Sequence, residues 1–319
     1  MPHLPRRALL AGLAAPALAR AQAGRPITVV VPNPPGGGTD FAARLYQDAL
    51  TRILGITVVI ENRPGANGNI AIQSVARAAP DGHTLLLQYS GYHAGNPAMM
   101  PSLPWDPIRD LTPVGMATVA PHGIFAAPSL PVNSLAEFVA YTRARPGRVN
   151  YASSGNGSIQ HIAGVLFARA MGVPMVHVPY RGAAPALQDV AGDRVELFIT
   201  TPSSAIGLVQ GGRVKALAIA SAARSTALPE VPTTAEAGFP ELLAENWLGL
   251  SGPRGLPAPI VQRLHAETAA GLEVPMVRHR LDEHGIASRP MTSAEFQGFV
   301  AEEVRRIGGA IRAMGITAQ

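Results

Sequence analysis

Two hydrophobic periodicities alternate along the first third of this chain. Residues 27–31 are a short, nearly continuous run of β-branched residues (Ile27, Thr28, Val29, Val30, Val31). Such a run predicts a strand buried on both faces of a parallel sheet. Phe41, Leu45, Ala49 and Ile53 then recur every four residues, the stripe of a helix packed on that sheet. A second strand at 56–60, a helix at 68–79 and a third strand at 84–87 extend the pattern to βαβαβ, with right-handed crossovers. Residues 95–113, carrying Pro97, Pro101, Pro104, Pro107 and Pro113, break the rhythm and predict a proline-pinned excursion over the surface.

The alternation then starts afresh. Ser134 and Glu137 have the spacing of a capping box that opens a helix to about Arg145. Strands follow at 149–152, 175–178, 195–199 and 214–220, with helices at 158–171, 185–191 and 203–210 between them. The last third is helical after residue 251, with helices at 259–271 and 274–284. A third runs from a capping box at Thr292 and Glu295 to Met314. One α/β unit interrupted by a second predicts two lobes joined by crossing segments, near Thr118–Pro128 and Leu217–Arg224. Lobe 1 is then residues 25–120 and 224–319, and lobe 2 residues 121–223, each a mainly parallel sheet flanked by helices. Ligands of such lobes bind outside the carboxyl ends of the strands, here in the cleft between lobes.

The chemistry concentrates in the turns that face this cleft. Between the first strand and helix lie Pro35, Gly36, Gly37, Gly38, Thr39 and Asp40. Glycines there admit close approach to the backbone, and Thr39 or Asp40 can cap the helix, whose free N–H groups then attract an anion. A bulky replacement of Gly37 is expected to abolish binding without unfolding the protein. Ser154, Gly155, Asn156, Gly157 and Ser158 repeat the device in lobe 2, so that two helix N-termini clamp one carboxylate on closure. Ser158 also serves as an ordinary N-cap, and His161, three residues on, is either a framework residue or a ligand contact. Arg181, beside Gly182, can fork a distal carboxylate or form a surface ion pair. Ser90 and Thr201 are placed at carboxyl ends of strands, where ligand identity is set. Trp105 and Trp247 are expected to be packing residues.

Composition narrows the function class. The chain has 319 residues, 47% hydrophobic and 15% charged, which supports well-formed cores and argues against disorder. Arg6 and Arg7, an apolar stretch from Ala8 to Leu18 and a small-x-small site at Ala19–Ala21 read as an export leader cut before Gln22, of twin-arginine or ordinary secretory type. Removing residues 1–21 takes Arg6, Arg7 and Arg20 and no acid, so the formal net charge falls from +5 to +2. A near-balanced mature chain has no electrostatic footprint for nucleic acid. The chain has no cysteine, which removes disulfides, thiolate zinc sites and cysteine nucleophiles together. Its nine histidines show no metal-ligand spacing, and no cofactor is expected. A nucleophile elbow and a phosphate loop are both absent from the sequence, so a hydrolase is the weakest reading.

Several motifs occur in the order found in the substrate-binding receptors of tripartite tricarboxylate transporters, the Bug (TctC-like) family. They are Pro34–Gly37 with Asp40, Glu61–Gly65, Pro80–Gly82 with Thr84 and Leu85, and Leu103–Asp106. Tyr151–Ser153 through Gly157 with His161, His177–Gly182, Leu228–Thr233 with Ala235–Gly238, and Trp247 with Gly249 complete the series. The chain resembles this family over its whole mature length. The resemblance implies a two-lobed periplasmic binding protein of the Venus-flytrap, type II-like kind. It would be a monomer that binds a small organic carboxylate and hands it to membrane permease subunits. It also implies that the carboxylate sits between the first glycine turn and the loop at 153–158, held by backbone amides and bridging waters. Asn33 departs from the bulky residue usual in the family and makes the strand-to-turn junction more polar. A receptor serving a sensor kinase would need the same clamp, and the chain itself does not separate the two.

Overall fold

The computed structural model describes residues 24–315 except 101 and 222; the expected leader lies outside the described residues. The first sheet begins with β1 (Ile27–Val31), followed by α1 (Gly38–Leu54), β2 (Val58–Asn62), α2 (Asn69–Ala76), β3 (Thr84–Tyr89), α3 (Ser90–Met99) and β4 (Leu111–Pro121). The second contains β5 (Gly123–Ala126), α4 (Leu135–Arg143), β6 (Asn150–Ser153), α5 (Ile159–Met171) and β7 (Val176–Pro179), then α6 (Ala183–Ala191), β8 (Leu197–Thr200), α7 (Pro202–Gln210) and β9 (Lys215–Ile219). The chain then returns to the first sheet with β10 (Glu245–Pro253), α8 (Ala258–Leu272), α9 (Pro275–Glu283), β11 (Ala287–Met291) and α10 (Ser293–Met314).

The first sheet has the order β11-β4-β10-β3-β1-β2 and the second β7-β6-β8-β5-β9. In the first, β1 runs parallel to β2 and β3, while β10 is antiparallel to β3 and β4, and β11 to β4. In the second, β6 is parallel to β7 and β8, and β5 is antiparallel to β8 and β9. Both sheets are therefore mixed rather than mainly parallel. Four of the strands in antiparallel pairs, β4, β5, β9 and β10, adjoin the crossings between sheets. Of these, β5 and β10 enter from the other sheet instead of through a helix, and hydrophobic periodicity carries no strand direction.

The burial of α1 differs from its expected stripe. Ala42, Ala43, Tyr46, Ala49 and Leu50 are buried, Phe41 and Leu45 are half-buried, and Ile53 is 37% exposed. The small residues let α1 lie close to its neighbours, and α8 packs against it. A helix, α3, occupies the start of the expected proline-rich excursion. Pro97 sits inside it, yet Ser90 through Asn96 are all buried, and burial on every side outweighs the proline's missing donor. Asn96 Nδ2 donates to the Asn67 carbonyl at 2.8 Å and Trp105 Nε1 to Asn69 Oδ1 at 2.6 Å, which fastens the segment beyond.

The crossings meet side by side. His122 N–H donates to the Ala244 carbonyl, Ala220 N–H to the His122 carbonyl, and Ala244 N–H to the Ala220 carbonyl, at 2.8, 2.8 and 3.0 Å. Leu228, Val231 and Leu242 are buried in the second core, so the segment after β9 stays with the second sheet. The chain rejoins the first sheet with β10, after Ala244. At α4 the Ser134 hydroxyl accepts from Glu137 N–H, but the Glu137 carboxylate accepts from Asn133 N–H, one residue before the cap. The capping box at Thr292 and Glu295 is complete.

Candidate functional site

The glycine turn after β1 is held from within. Gly37 is the N-cap of α1 and offers no side chain; Thr39 and Asp40, expected as caps, lie inside the first helical turn. The Asp40 carboxylate accepts from Gly36 N–H, Arg44 Nε and Asn62 Nδ2, each at 3.0 Å. Burial alone would raise this carboxyl, but those three donors outweigh it and hold it below the ordinary carboxylate range. Asp40 is thus a fastener between the turn, α1 and β2, not a wall of the cleft. Its work leaves the N–H groups of the first turn of α1 without intrahelical acceptors.

Facing this turn across the cleft stand residues from three loops of the second lobe. Arg181, Gly182, Ala183, Ala184 and Pro185 come from the start of α6, Thr201 and Ser204 from the start of α7, and Ser154 and Gln160 from the β6–α5 turn. Gly182 caps α6 with φ 117°, a conformation that favours glycine. The lobes are close here. A Cβ on Gly38 would stand 2.6 Å from Thr201 Oγ1 and 2.7 Å from Ser203 Oγ, and one on Gly182 would be 3.7 Å from Pro34. A Cβ on Gly37 meets nothing within 4 Å, so an added methyl is crowded at Gly38 and not at Gly37.

The floor is built of oriented amides. Tyr89 OH, from the first lobe, donates to Gln160 Oε1 in the second at 3.1 Å. Ser90 Oγ donates to Asn246 Oδ1 at 2.9 Å. Both bonds occupy the amide oxygens and leave Gln160 Nε2 and Asn246 Nδ2 as donors without a protein acceptor, although the residues are only 8% and 5% exposed. Tyr92 adds a second ring beside Tyr89, at 4.9 Å and edge-on. Among the described residues no acid lines the cleft, and its one lining cation, Arg181, is exposed at the rim. Buried donors, helix starts from both lobes and no carboxylate make a site that favours an anion.

A family model described as the tripartite tricarboxylate transporter family receptor matches residues 42–316. The chain belongs to that family. BugT of Bordetella pertussis is 37% identical over 306 residues, covering 96% of this chain and 94% of BugT. MatC of Rhodopseudomonas palustris with bound malate is similar in structure, with a TM-score of 0.84 at 36% identity over 91% of this chain and 99% of MatC. Rpa4515 of R. palustris with adipate gives a TM-score of 0.88 at 35% identity over 93% and 99% of the two chains.

Within this tripartite tricarboxylate transporter receptor, the structure brings Pro35, Gly37, Gly38, Thr39, Ser154, Arg181, Gly182 and Thr201 to the cleft. Gly36 lines a neighbouring depression with Ala184 and Ser204. Ser90 is fully buried and reaches the cleft only through Asn246. Gly155, Asn156, Gly157, Ser158 and His161 stand behind the cleft wall. Ser158 Oγ caps α5 by accepting from His161 N–H at 3.3 Å, and the second-lobe helix starts that line the cleft beside the glycine turn are those of α6 and α7. Asn33, Tyr89, Tyr92, Gln160 and Asn246 are polar or aromatic cleft residues outside the predicted site set. The two tyrosines sit in the stretch from which Ser90 was chosen, whereas Asn246 is brought in by antiparallel β10 and carries no local signal. Trp105 and Trp247 are buried as expected, and Trp247 Nε1 donates to Glu303 Oε2 at 3.1 Å. Among the described residues no group of three or more His, Cys, Asp or Glu could hold a metal ion.

Proposed function

We propose that this protein is a periplasmic solute receptor that closes over a small organic carboxylate and delivers it to the permease subunits of a tripartite tricarboxylate transporter. The observation that carries the reading is the cleft's donor set. The first turns of α1, α6 and α7 line it with the amides of Gln160 and Asn246, and among the described residues no acid does. A carboxylate offers two oxygens with about four acceptor sites, which fits donors arriving from both lobes at once. Each lobe supplies only part of the set, so occupancy favours closure about the hinge at His122, Ala220 and Ala244. The related MatC and Rpa4515 structures hold malate and adipate, both dicarboxylates. Export under the leader at residues 1–21 would place the receptor in the periplasm.

The test is thermal unfolding of residues 22–319 against malate, adipate and nicotinate, with their amides or esters, amino acids and sugars alongside. Ligand retained through purification is first removed by partial unfolding and dialysis. A ligand at a hundredfold excess over its dissociation constant adds about 2.7 kcal/mol of stability. A raised midpoint with an acid and none with its amide supports the reading. A raised midpoint only with neutral solutes overturns it.

A further inference from the structure

Two histidines behind the cleft wall are arranged as a unit. The rings of His161, on α5, and His177, on β7, stack with centroids 3.8 Å apart and planes 5° from parallel. Tyr151, on β6, stacks beside His177 at 5.1 Å. Each imidazole fastens one end of the glycine turn between β6 and α5. His161 Nδ1 accepts from Gly157 N–H at 3.1 Å, which requires that nitrogen to be unprotonated. His177 Nε2 lies 2.6 Å from Ser153 Oγ, and Ser153 Oγ in turn bonds both the N–H and the carbonyl of Gly155 at 3.1 Å. Gly155 and Gly157 have φ 125° and 77°, so the turn has a conformation that these bonds must hold in place.

This turn has two duties. It carries Ser154 to the cleft, with Gln160 immediately after it in α5. It also touches the first lobe, where a Cβ on Gly157 would stand 2.8 Å from Met99 Cε. We propose that the stacked His161–His177 pair is a positioning element for the ligand site, holding the second-lobe turn in its binding geometry only while His161 is neutral. The inference rests on the carboxylate-receptor reading for its consequence, but not for the geometry of the turn.

The chemistry around the rings sets the direction of the effect. Among the described residues the titratable groups facing the pair are Tyr151 and each ring to the other, and neither ring forms an ion pair. Burial favours the neutral form of His161. Burial, followed by proximity of His161, brings His177 down to about 4. Acid that protonates His161 Nδ1 sets a donor against the Gly157 donor. A charge on both rings adds repulsion at stacking distance. Acidification therefore releases the turn.

Solution NMR of the labelled protein tests this without a ligand. The Gly157 amide proton should titrate together with the His161 ring as pH is lowered from 7. Its exchange should quicken about five- to tenfold in His161→Phe, the loss of one hydrogen bond. His161→Asn, which keeps an acceptor but cannot be protonated, should restore the protection and remove the titration. Malate and adipate, titrated at pH 7.5, should bind more weakly to His161→Phe than to His161→Asn. A Gly157 amide that stays flat while the ring titrates, or that exchanges equally in wild type and His161→Phe, overturns the proposal. So does an unchanged affinity in His161→Phe. If that variant does not fold, the wild-type titration alone decides. Failure of both acids to bind the wild-type protein, with Gly157 still following the ring, supports the positioning of the turn and overturns the carboxylate reading instead.

Discussion

Gly38→Ala should separate folding from closure. Gly38 is the first residue of α1 and its φ lies outside the positive region, so alanine costs its backbone nothing and is the better helix former. The added methyl would stand 2.6 and 2.7 Å from the Thr201 and Ser203 hydroxyl oxygens of the other lobe. A relaxed C···O contact is about 3.3 Å or longer, so the two lobes must part by roughly 0.6 Å or the hydroxyls must turn away. Turning them away sacrifices the bonds from Ser203 Oγ to Thr201 Oγ1 at 3.0 Å and between Thr201 and Ser204 at 3.1 Å. Overpacking of this kind costs about 1–3 kcal/mol, which falls on the closed state alone and weakens ligand affinity about 5- to 150-fold. Calorimetric titration with malate and adipate gives the affinity, and thermal unfolding without ligand gives the stability. An unchanged midpoint with weakened binding is the expected pair of results. Wild-type affinity in Gly38→Ala would refute the closed geometry, and a collapsed midpoint would show that the methyl disturbs the first lobe itself.

Four further outcomes follow from the same contacts. Asn246→Leu leaves Ser90 Oγ buried without its acceptor, so urea unfolding should report a loss of about 1–3 kcal/mol together with weaker carboxylate binding. Asp40→Asn weakens charged bonds to Gly36, Arg44 and Asn62 and should destabilise by roughly 1–2 kcal/mol; because the Asp40 carboxyl is held low, its contribution is present at neutral pH and lost in strong acid, so the variant's deficit should shrink there. Arg181→Gln, at the rim, should slow association of a dianion at low salt in stopped flow while leaving the high-salt rate nearly unchanged. Burial holds the fully buried His93 and His122 neutral down to about 4, whereas in the unfolded chain they take up protons near 6.5. Stability should therefore be highest above that value and fall as pH drops toward 4, by on the order of a few kcal/mol for the two together, and denaturant midpoints that stay flat across this range would contradict their burial.

Much of this protein was legible in local pattern, because strands and helices declare themselves through burial of one face. The βα alternation, the caps at Ser158 and Thr292, and the glycine turn all need only neighbours within a few residues. The residues that line the cleft are a different matter. Pattern placed Gly37, Gly38 and Arg181 at turns, and tertiary structure decided that Gly38 meets Thr201 and that Arg181 stays at the rim. It added the helix starts at Ala183 and Pro202 to the cleft lining, since which turns face each other depends on strand order and direction in two mixed sheets. Asn246 enters from a strand more than 150 residues beyond its partner Ser90, and no periodicity carries that pairing. His161 and His177 lie on different elements, and they stack because β7 lies beside β6 and α5 packs on the sheet between them. The sequence by itself determined the βα alternation, most of the helices, the turns and the absence of cysteine chemistry. The tertiary structure alone decided which donors converge, because convergence is a property of distances between segments that the chain keeps far apart.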